Sequence, residues 1–408
     1  MSDIRCKFFV QRKKRYCKML VKSGQEYCGE HQKPVEDLDK NMENDTKTRI
    51  LCPLDRKHTV YLHNLSKHLK ICNARQDHTE PYIEKDINLG DSGKNSTDLN
   101  DSYQLLSTFS KDHILAVIQK ANKLFEKYVK LSEKKLCHDS LREELSKPEY
   151  GDKTKKHLRQ VSSILGLLNN FELIQDNSCY IEFGAGRGQL SYYIAEITES
   201  FDKVKLLLIE RASPKHKKDN KLAKTTDRVH RIRADIKDLV LDKVDIIKDI
   251  DNIVGVTKHL CGEATDLTIK CLTNMSENRN KLKGVVLTFC CHHRCRWTPY
   301  TGKDFFTENE FTKEDFNIMC CLSSWATCGS GLSREVREKI DKDPEETEKC
   351  LEYGLKRNDR EEIGRRCKNL INWGRLLHLE TAGFTCSLHY YVDNNVTLEN
   401  VCIVAYKK

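Results

Sequence analysis

In the second half of the chain, short apolar runs alternate with amphipathic stretches. Cys179-Tyr-Ile-Glu-Phe183 has strand length and runs into glycines, and Leu190, Tyr193, Ile194 and Ile197 follow at helical spacing. Val204–Ile209, Val229–Arg233, Ile253–Thr257 and Gly284–Phe289 repeat the apolar run. A helical stretch through Leu370–Ala382 stops at Gly383, and Thr385–Val392 and Val401–Tyr406 are consistent with a closing hairpin. Strands separated by helices predict parallel pairing, and the hairpin adds one antiparallel strand. The expectation is an α/β domain over residues 149–408 with a seven-stranded, mostly parallel sheet. Upstream, Ile114, Ile118, Ala121 and Phe125 recur at helical spacing, with Leu115 and Tyr128 nearby. Lys120, Lys123, Lys127, Lys130 and Lys134 lie on another face, read as solvated. This predicts a helical segment over 104–148, its helix ending before Pro148. Residues 77–103 are rich in Asp, Asn, Ser and Gly without apolar period, and predict a flexible linker.

Ahead of that linker the pattern is too polar for a core, and cysteines and histidines take over. Cys6, Cys17, Cys28 and His31 read C-x10-C-x10-C-x2-H. Zinc takes four tetrahedral N or S donors, and the short Cys28–His31 step supplies two of them. This predicts a CCCH-type module over 1–34 whose folding energy comes mostly from metal, with basic residues and Phe8, Phe9 and Tyr16 between the ligands. Cys52, His58, His68 and Cys72 read C-x5-H-x9-H-x3-C. Leu62–Ile71 has a helical pattern, so His68 and Cys72 share one face as a chelating pair. This predicts a CHHC-type finger over 48–76, similar to fingers of minor-spliceosome and tRNA-modification proteins. Two zinc ions are expected.

Composition narrows the setting. The 408 residues suffice for two or three domains. No apolar run is long enough for a membrane span, and the polar, basic start lacks the apolar core of a secretory signal. A cytoplasmic or nuclear location is expected, with the 19 Cys as reduced thiols or metal ligands. The net charge of +9 suits a polyanionic partner. The oligomeric state is not legible.

The chemistry concentrates where the apolar runs end. Gly184, Gly186 and Gly188 follow the first run, and such glycines let backbone approach a ligand. Their spacing, G-x-G-x-G, departs from the dinucleotide fingerprint, because Gln189 stands where a third glycine is required. Glu182, two residues before Gly184, disfavours phosphate and suits the cationic aminoacyl end of S-adenosylmethionine. Glu210 at the tip of the second run is placed for ribose hydroxyls, and Asp235 after the third for the adenine amino group. Ligands of open α/β sheets lie beyond the C-terminal strand ends, so Lys258-His-Leu-Cys-Gly262 and Cys290–Trp297 are the candidate catalytic segments. Cys290, Cys291, His292, His293 and Cys295, with Cys320, Cys321 and Cys328, also invite a metal. Neighbouring residues seldom chelate one ion together, which favours reduced thiols in a substrate loop.

A CCCH set, a CHHC set and a domain carrying IEFGAGRG, KHLCG and CCHHRC-x-W resemble the eukaryotic tRNA 2′-O-methyltransferase family that modifies the fourth nucleotide of the acceptor stem (the Trm thirteen type). The resemblance implies a Rossmann-like class I methyltransferase domain behind two zinc-binding modules and a helical segment. It also implies methyl transfer from S-adenosyl-L-methionine to a ribose 2′-hydroxyl: cytidine in the tRNAs for glycine and proline, adenosine in that for histidine. Such a hydroxyl must be aligned and deprotonated. Lys258 or His259 is expected as base or orienter, His292 or His293 in support, and Arg296 on a phosphate. The lysine-rich run after the second strand, including Lys217 and Lys218, is read as a tRNA contact. The competing reading is a zinc-finger RNA-binding adaptor with an inactive methyltransferase fold.

Overall fold

The computed structural model describes residues 5–10, 15–21, 24–28, 49–72, 80–90, 104–212, 214, 218, 222, 227–328 and 352–407. They belong to two compact units, Met1–His78 and Thr79–Lys408.

In the first unit β1 (Phe9–Val10) and β2 (Arg15–Tyr16) pair antiparallel, and the rings of Phe9 and Tyr16 meet edge to face at 5.2 Å. A second hairpin joins β3 (Arg49–Cys52) and β4 (Asp55–Tyr61), and α1 (Leu65–Ile71) follows. The buried apolar side chains described here are Cys6, Cys28, Ile50, Cys52, Val60 and Cys72. Four of these six are cysteines, so among the described residues donor groups rather than an apolar core occupy the centre of this unit.

In the second unit α2 (Lys111–Tyr128) buries Ile114, Val117, Ile118, Ala121 and Leu124, the face its periodicity predicted. Ser110 caps it by accepting from the His113 amide. The helix does not run on toward Pro148. After Tyr128 the chain forms β5 (Leu131–Glu133), which pairs parallel with a strand near the C-terminus, and then the short α3 (Arg142–Ser146). Tertiary pairing overrides the local helical pattern there. α4 (Asp152–Asn170) leads into the sheet proper.

Nine strands form that sheet: β5, β6 (Ser178–Phe183), β7 (Val204–Ile209), β8 (Val229–Ile232), β9 (Asn252–Val256), β10 (Leu260–Cys261), β11 (Leu282–Cys290), β12 (Thr385–Tyr390) and β13 (Val401–Tyr406). Their order is β5-β12-β13-β11-β9-β6-β7-β8, with β10 beside β11. β13 is antiparallel to both its neighbours and the other pairings are parallel. The seven expected strands are present, in the class I methyltransferase order, and β5 and β10 are additions. The chain winds outward from β6 to β8, then returns to β9 on the other side. The switch point therefore lies between β6 and β9, where ligands of such sheets bind.

β6 explains why the sheet holds two layers of helix. All six of its residues are buried, and alternate ones face opposite sides. Cys179, Ile181 and Phe183 join a core with Leu267 and Leu272 of α6 (Ala264–Thr273). Tyr180 joins the opposite core, with Val161 and Ile164 of α4 and Ile194 of α5 (Gln189–Ile197). A third cluster stacks α2 on α7 (Lys303–Glu308), α8 (Lys313–Ser323), α9 (Trp325–Cys328) and the long α10 (Arg357–Thr381). Each such apolar side chain contributes roughly 1.5–3 kcal/mol on burial.

One expected linker is partly built into this unit. Within 77–103, residues 80–90 lie against the sheet domain: Ile83 bridges Leu239, and buried Asn88 donates to the Ile236 and Leu239 carbonyls at 2.7 and 2.8 Å. The polar composition that suggested a tether supplies those hydrogen bonds instead.

Candidate active site and metal centres

The glycine loop and the segment after β9 face each other across the switch point. Gly184, Gly186 and Gly188 all have positive φ, between 49° and 69°. At Gly184 a Cβ would stand 3.3 Å from Leu260 Cδ1 and 3.6 Å from the His259 carbonyl, so a larger residue would crowd the segment after β9. Glu210 continues from β7 and braces the loop: one carboxylate oxygen accepts from the Gly186 amide at 2.9 Å, the other from the Ala212 amide at 2.8 Å. Arg231 donates to the Gly186 carbonyl at 3.1 Å. Asp235 caps the turn over Ile236–Asp238, accepting from the Lys237 amide, and its second oxygen lies 3.3 Å from Arg211.

Glu182 is buried beneath this loop. One of its oxygens accepts from both the amide and the hydroxyl of Ser191, at 2.9 and 2.5 Å. Burial raises its pKa to about 7, against the lowering effects of Ser191, Lys258 and Arg231.

Three basic side chains gather on the opposite lip. Lys258 Nζ lies 3.4 Å from His157 Nδ1, and the rings of His157 and His259 meet edge to face at 6.0 Å. Burial lowers the pKa of Lys258, and Glu182 opposes that shift. His259 is exposed, and its pKa is nonetheless pushed down to about 4, first by desolvation and then by the charges of Lys258 and His157. His157 is lowered first by desolvation and then by the charges of Lys258 and Lys153. His259 is thus an unprotonated acceptor at neutral pH. The Thr288 hydroxyl donates to the Lys258 carbonyl at 2.6 Å and ties this segment to β11.

The second expected catalytic segment divides. His292 is turned into the core, where Nε2 meets Asn372 Oδ1 at 2.8 Å and burial drives its pKa well down. It packs against α10 through Asn372 rather than standing as a supporting base at the cleft. The cause is Cys291, whose left-handed backbone (φ 54°, ψ 44°) redirects the chain before it. His293 remains half-buried, with a pKa lowered mainly by desolvation. Arg296 is engaged by Glu263 in an ion pair, so its expected phosphate role would require exchanging that partner. Behind these loops Arg375 of α10 pairs with Asp266 at 2.6 Å, both fully buried, and donates to Cys295 Sγ at 3.1 Å.

The donor sets of the first unit fit zinc. Cys52 Sγ and Cys72 Sγ are 3.6 Å apart, His58 and His68 Nε2 3.1 Å, and the two Cys–His contacts measure 3.2 and 3.5 Å. Four N and S atoms in mutual contact surround a space suited to one ion at about 2.0–2.3 Å from each. Cys6, Cys17 and Cys28 bring their sulfurs within 4.8 Å of one another. Their expected fourth ligand, His31, lies outside the described residues. So do Lys217 and most of its lysine run; Lys218 places its ammonium about 5 Å over the rings of Tyr192 and Tyr193.

Residues 159–406 match the family model described as Methyltransferase TRM13. Residues 4–32 match a CCCH zinc finger in TRM13 protein, and residues 49–73 a U11-48K-like CHHC zinc finger. A Homo sapiens protein named tRNA:m(4)X modification enzyme TRM13 homolog is 33% identical over 463 residues, covering 99% of this chain and 95% of its own. The chain belongs to this family. A Schizosaccharomyces pombe protein named tRNA:m(4)X modification enzyme TRM13 is 33% identical over 375 residues, covering 88% of this chain and 96% of its own. The cofactors are S-adenosylmethionine and zinc, in keeping with the methyltransferase family, its two finger models and the Cys/His groups. No helix among the described residues is long and apolar enough to cross a membrane.

The sequence reasoning passed over His157, Ser191 and Arg231. Nothing in their local spacing marks His157 or Arg231, whereas Ser191 is a polar position inside the apolar run of α5, where a buried partner is required.

Proposed function

We propose that this protein transfers the methyl group of S-adenosyl-L-methionine to the ribose 2′-hydroxyl of nucleotide 4 in the tRNA acceptor stem, cytidine in tRNA-Gly and tRNA-Pro and adenosine in tRNA-His. The observation that carries the reading is the meeting of Lys258, His259 and His157 at the lip facing the glycine loop. When bound, the cofactor supplies an electrophilic methyl on a sulfonium centre. Glu182, Glu210 and Asp235 are assigned to its ammonium, ribose and adenine. With the cofactor bound, His259 Nδ1 or Nε2 would accept the hydroxyl proton as the methyl group left sulfur for the substrate oxygen. Lys258 orients the oxygen and offsets charge developing on it.

A duplex acceptor stem suits this arrangement, because A-form RNA displays its 2′-hydroxyls along a wide, shallow groove that a surface cleft can reach. The chain's net charge of +9 favours the phosphate backbone. In the first unit Phe8, Phe9 and Tyr16 are exposed beside Lys7 and Arg15, a set suited to stacking and phosphate contact.

The deciding measurement is transfer of labelled methyl to total tRNA, followed by nucleoside analysis and mapping of the position. A 2′-O-methylated nucleoside at position 4 is the expected product. A base-methylated product, or binding of tRNA without transfer, would overturn the reading.

A further inference from the structure

Three thiols from two loops meet beside the catalytic segment. Cys261 and Cys290 are partners in the parallel β10–β11 bridge, and their sulfurs stand 2.9 Å apart. The Cys291 sulfur joins them, all three lying within 4.8 Å of one another. Successive residues of a strand point to opposite faces, so Cys290 and Cys291 would ordinarily diverge. They converge because Cys291 takes the left-handed conformation, rare for a residue other than glycine.

The facing loop is distorted at the same junction. Gly262 has φ 56°, and a Cβ there would fall 2.7 Å from Arg294 Cβ and 2.9 Å from its carbonyl group. Unusual backbone on both sides of one contact is found where the surroundings fix a particular geometry. Cys261 is exposed and the other two are half-buried, so the group opens toward solvent on one side. Cys295 takes no part, since it is fully enclosed with Arg375 and Asp266.

We propose that Cys261, Cys290 and Cys291 hold a third zinc ion, with water in the fourth position, clamping the loop after β9 to the loop after β11. Thiolates are soft donors that select zinc over hard cations, and three protein ligands with one open position is an arrangement zinc adopts. The clamp sets the height of Lys258 and His259 above the cleft. It stands independently of which nucleotide is methylated.

The test is the zinc content of the full-length chain, purified under reducing conditions without chelator and read by native mass spectrometry and elemental analysis. Three zinc ions per chain are expected, falling to two in Cys261→Ser and, separately, in Cys52→Ser, and to one in the double variant. Cofactor binding by calorimetry reports whether Cys261→Ser is folded, and Cys291→Ser serves as the second variant if it is not. Cobalt reconstitution should add a sulfur-to-metal absorption band that Cys261→Ser diminishes. Two zinc ions in the parent chain, unchanged by Cys261→Ser or Cys291→Ser, would overturn the proposal. So would a reductant-reversible loss of two hydrogens in mass with Cys261 linked to Cys290, which would make the junction a disulfide.

Discussion

Glu182 is a carboxylate in a place that resists charge. Its pKa near 7 is raised by burial, so the free protein binds this proton more tightly folded than unfolded. Its contribution to stability is complete below the unfolded value, near 4.5, and is lost as pH rises through 7. Cofactor binding has the opposite sign if the carboxylate receives the ammonium group. Affinity for S-adenosylmethionine should be about tenfold weaker at pH 6 than on the alkaline plateau. Glu182→Gln should bind weakly at every pH and lose that dependence, which calorimetry across pH will show. His259 gives a second signature. With its pKa near 4, a rate limited by this base at saturating cofactor stays flat from pH 6 to 8, whereas a lysine base would make it climb. His259→Ala should lower turnover at least about tenfold with cofactor affinity retained. The meeting of the glycines with Glu210 was legible because acidic residues at strand tips lie beside such a loop in this fold. His292 was misread because its direction depends on one backbone angle at Cys291, which no spacing reveals.

At the scale of elements, the long helix α10 holds both loops of the cleft from behind. Arg375 grips Asp266 of α6, Asn372 meets His292, and the Tyr300 hydroxyl donates to the Ile371 carbonyl at 2.8 Å. Arg375→Met should leave the Asp266 carboxylate enclosed without its main partner and cost about 3–5 kcal/mol. The denaturant midpoint checks this, with an unchanged slope if the fold is otherwise kept. The seven main strands were readable because each is an apolar run of the right length, flanked by helical periodicity. β5 and the docked stretch 80–90 were not, because both are polar and gain their structure from partners hundreds of residues or more than a hundred residues away: Leu131 opposite Leu388, Asn88 on Ile236. Long-range pairing leaves no local trace in a polar segment.

At the scale of the whole molecule, the chain divides the work between donor-centred fingers and a core-centred enzyme domain. His58→Ala should remove one zinc ion, leave S-adenosylmethionine affinity within about twofold, and weaken tRNA binding, as native mass spectrometry, calorimetry and filter binding will report. In the parent chain, tRNA affinity should fall linearly with the logarithm of salt concentration. The finger modules were readable because zinc selects Cys and His donors, and Cys52, His58, His68 and Cys72 converge, as do Cys6, Cys17 and Cys28. β5 has a consequence of a different kind. It adds only three rungs beyond β12 before Lys135 turns to the carboxylates of Glu133 and Asp393. A short rim ending in charge gives a neighbouring polypeptide little to zip onto, so on this margin the sheet is guarded against self-association while the chain waits, at cellular concentrations, for its substrate.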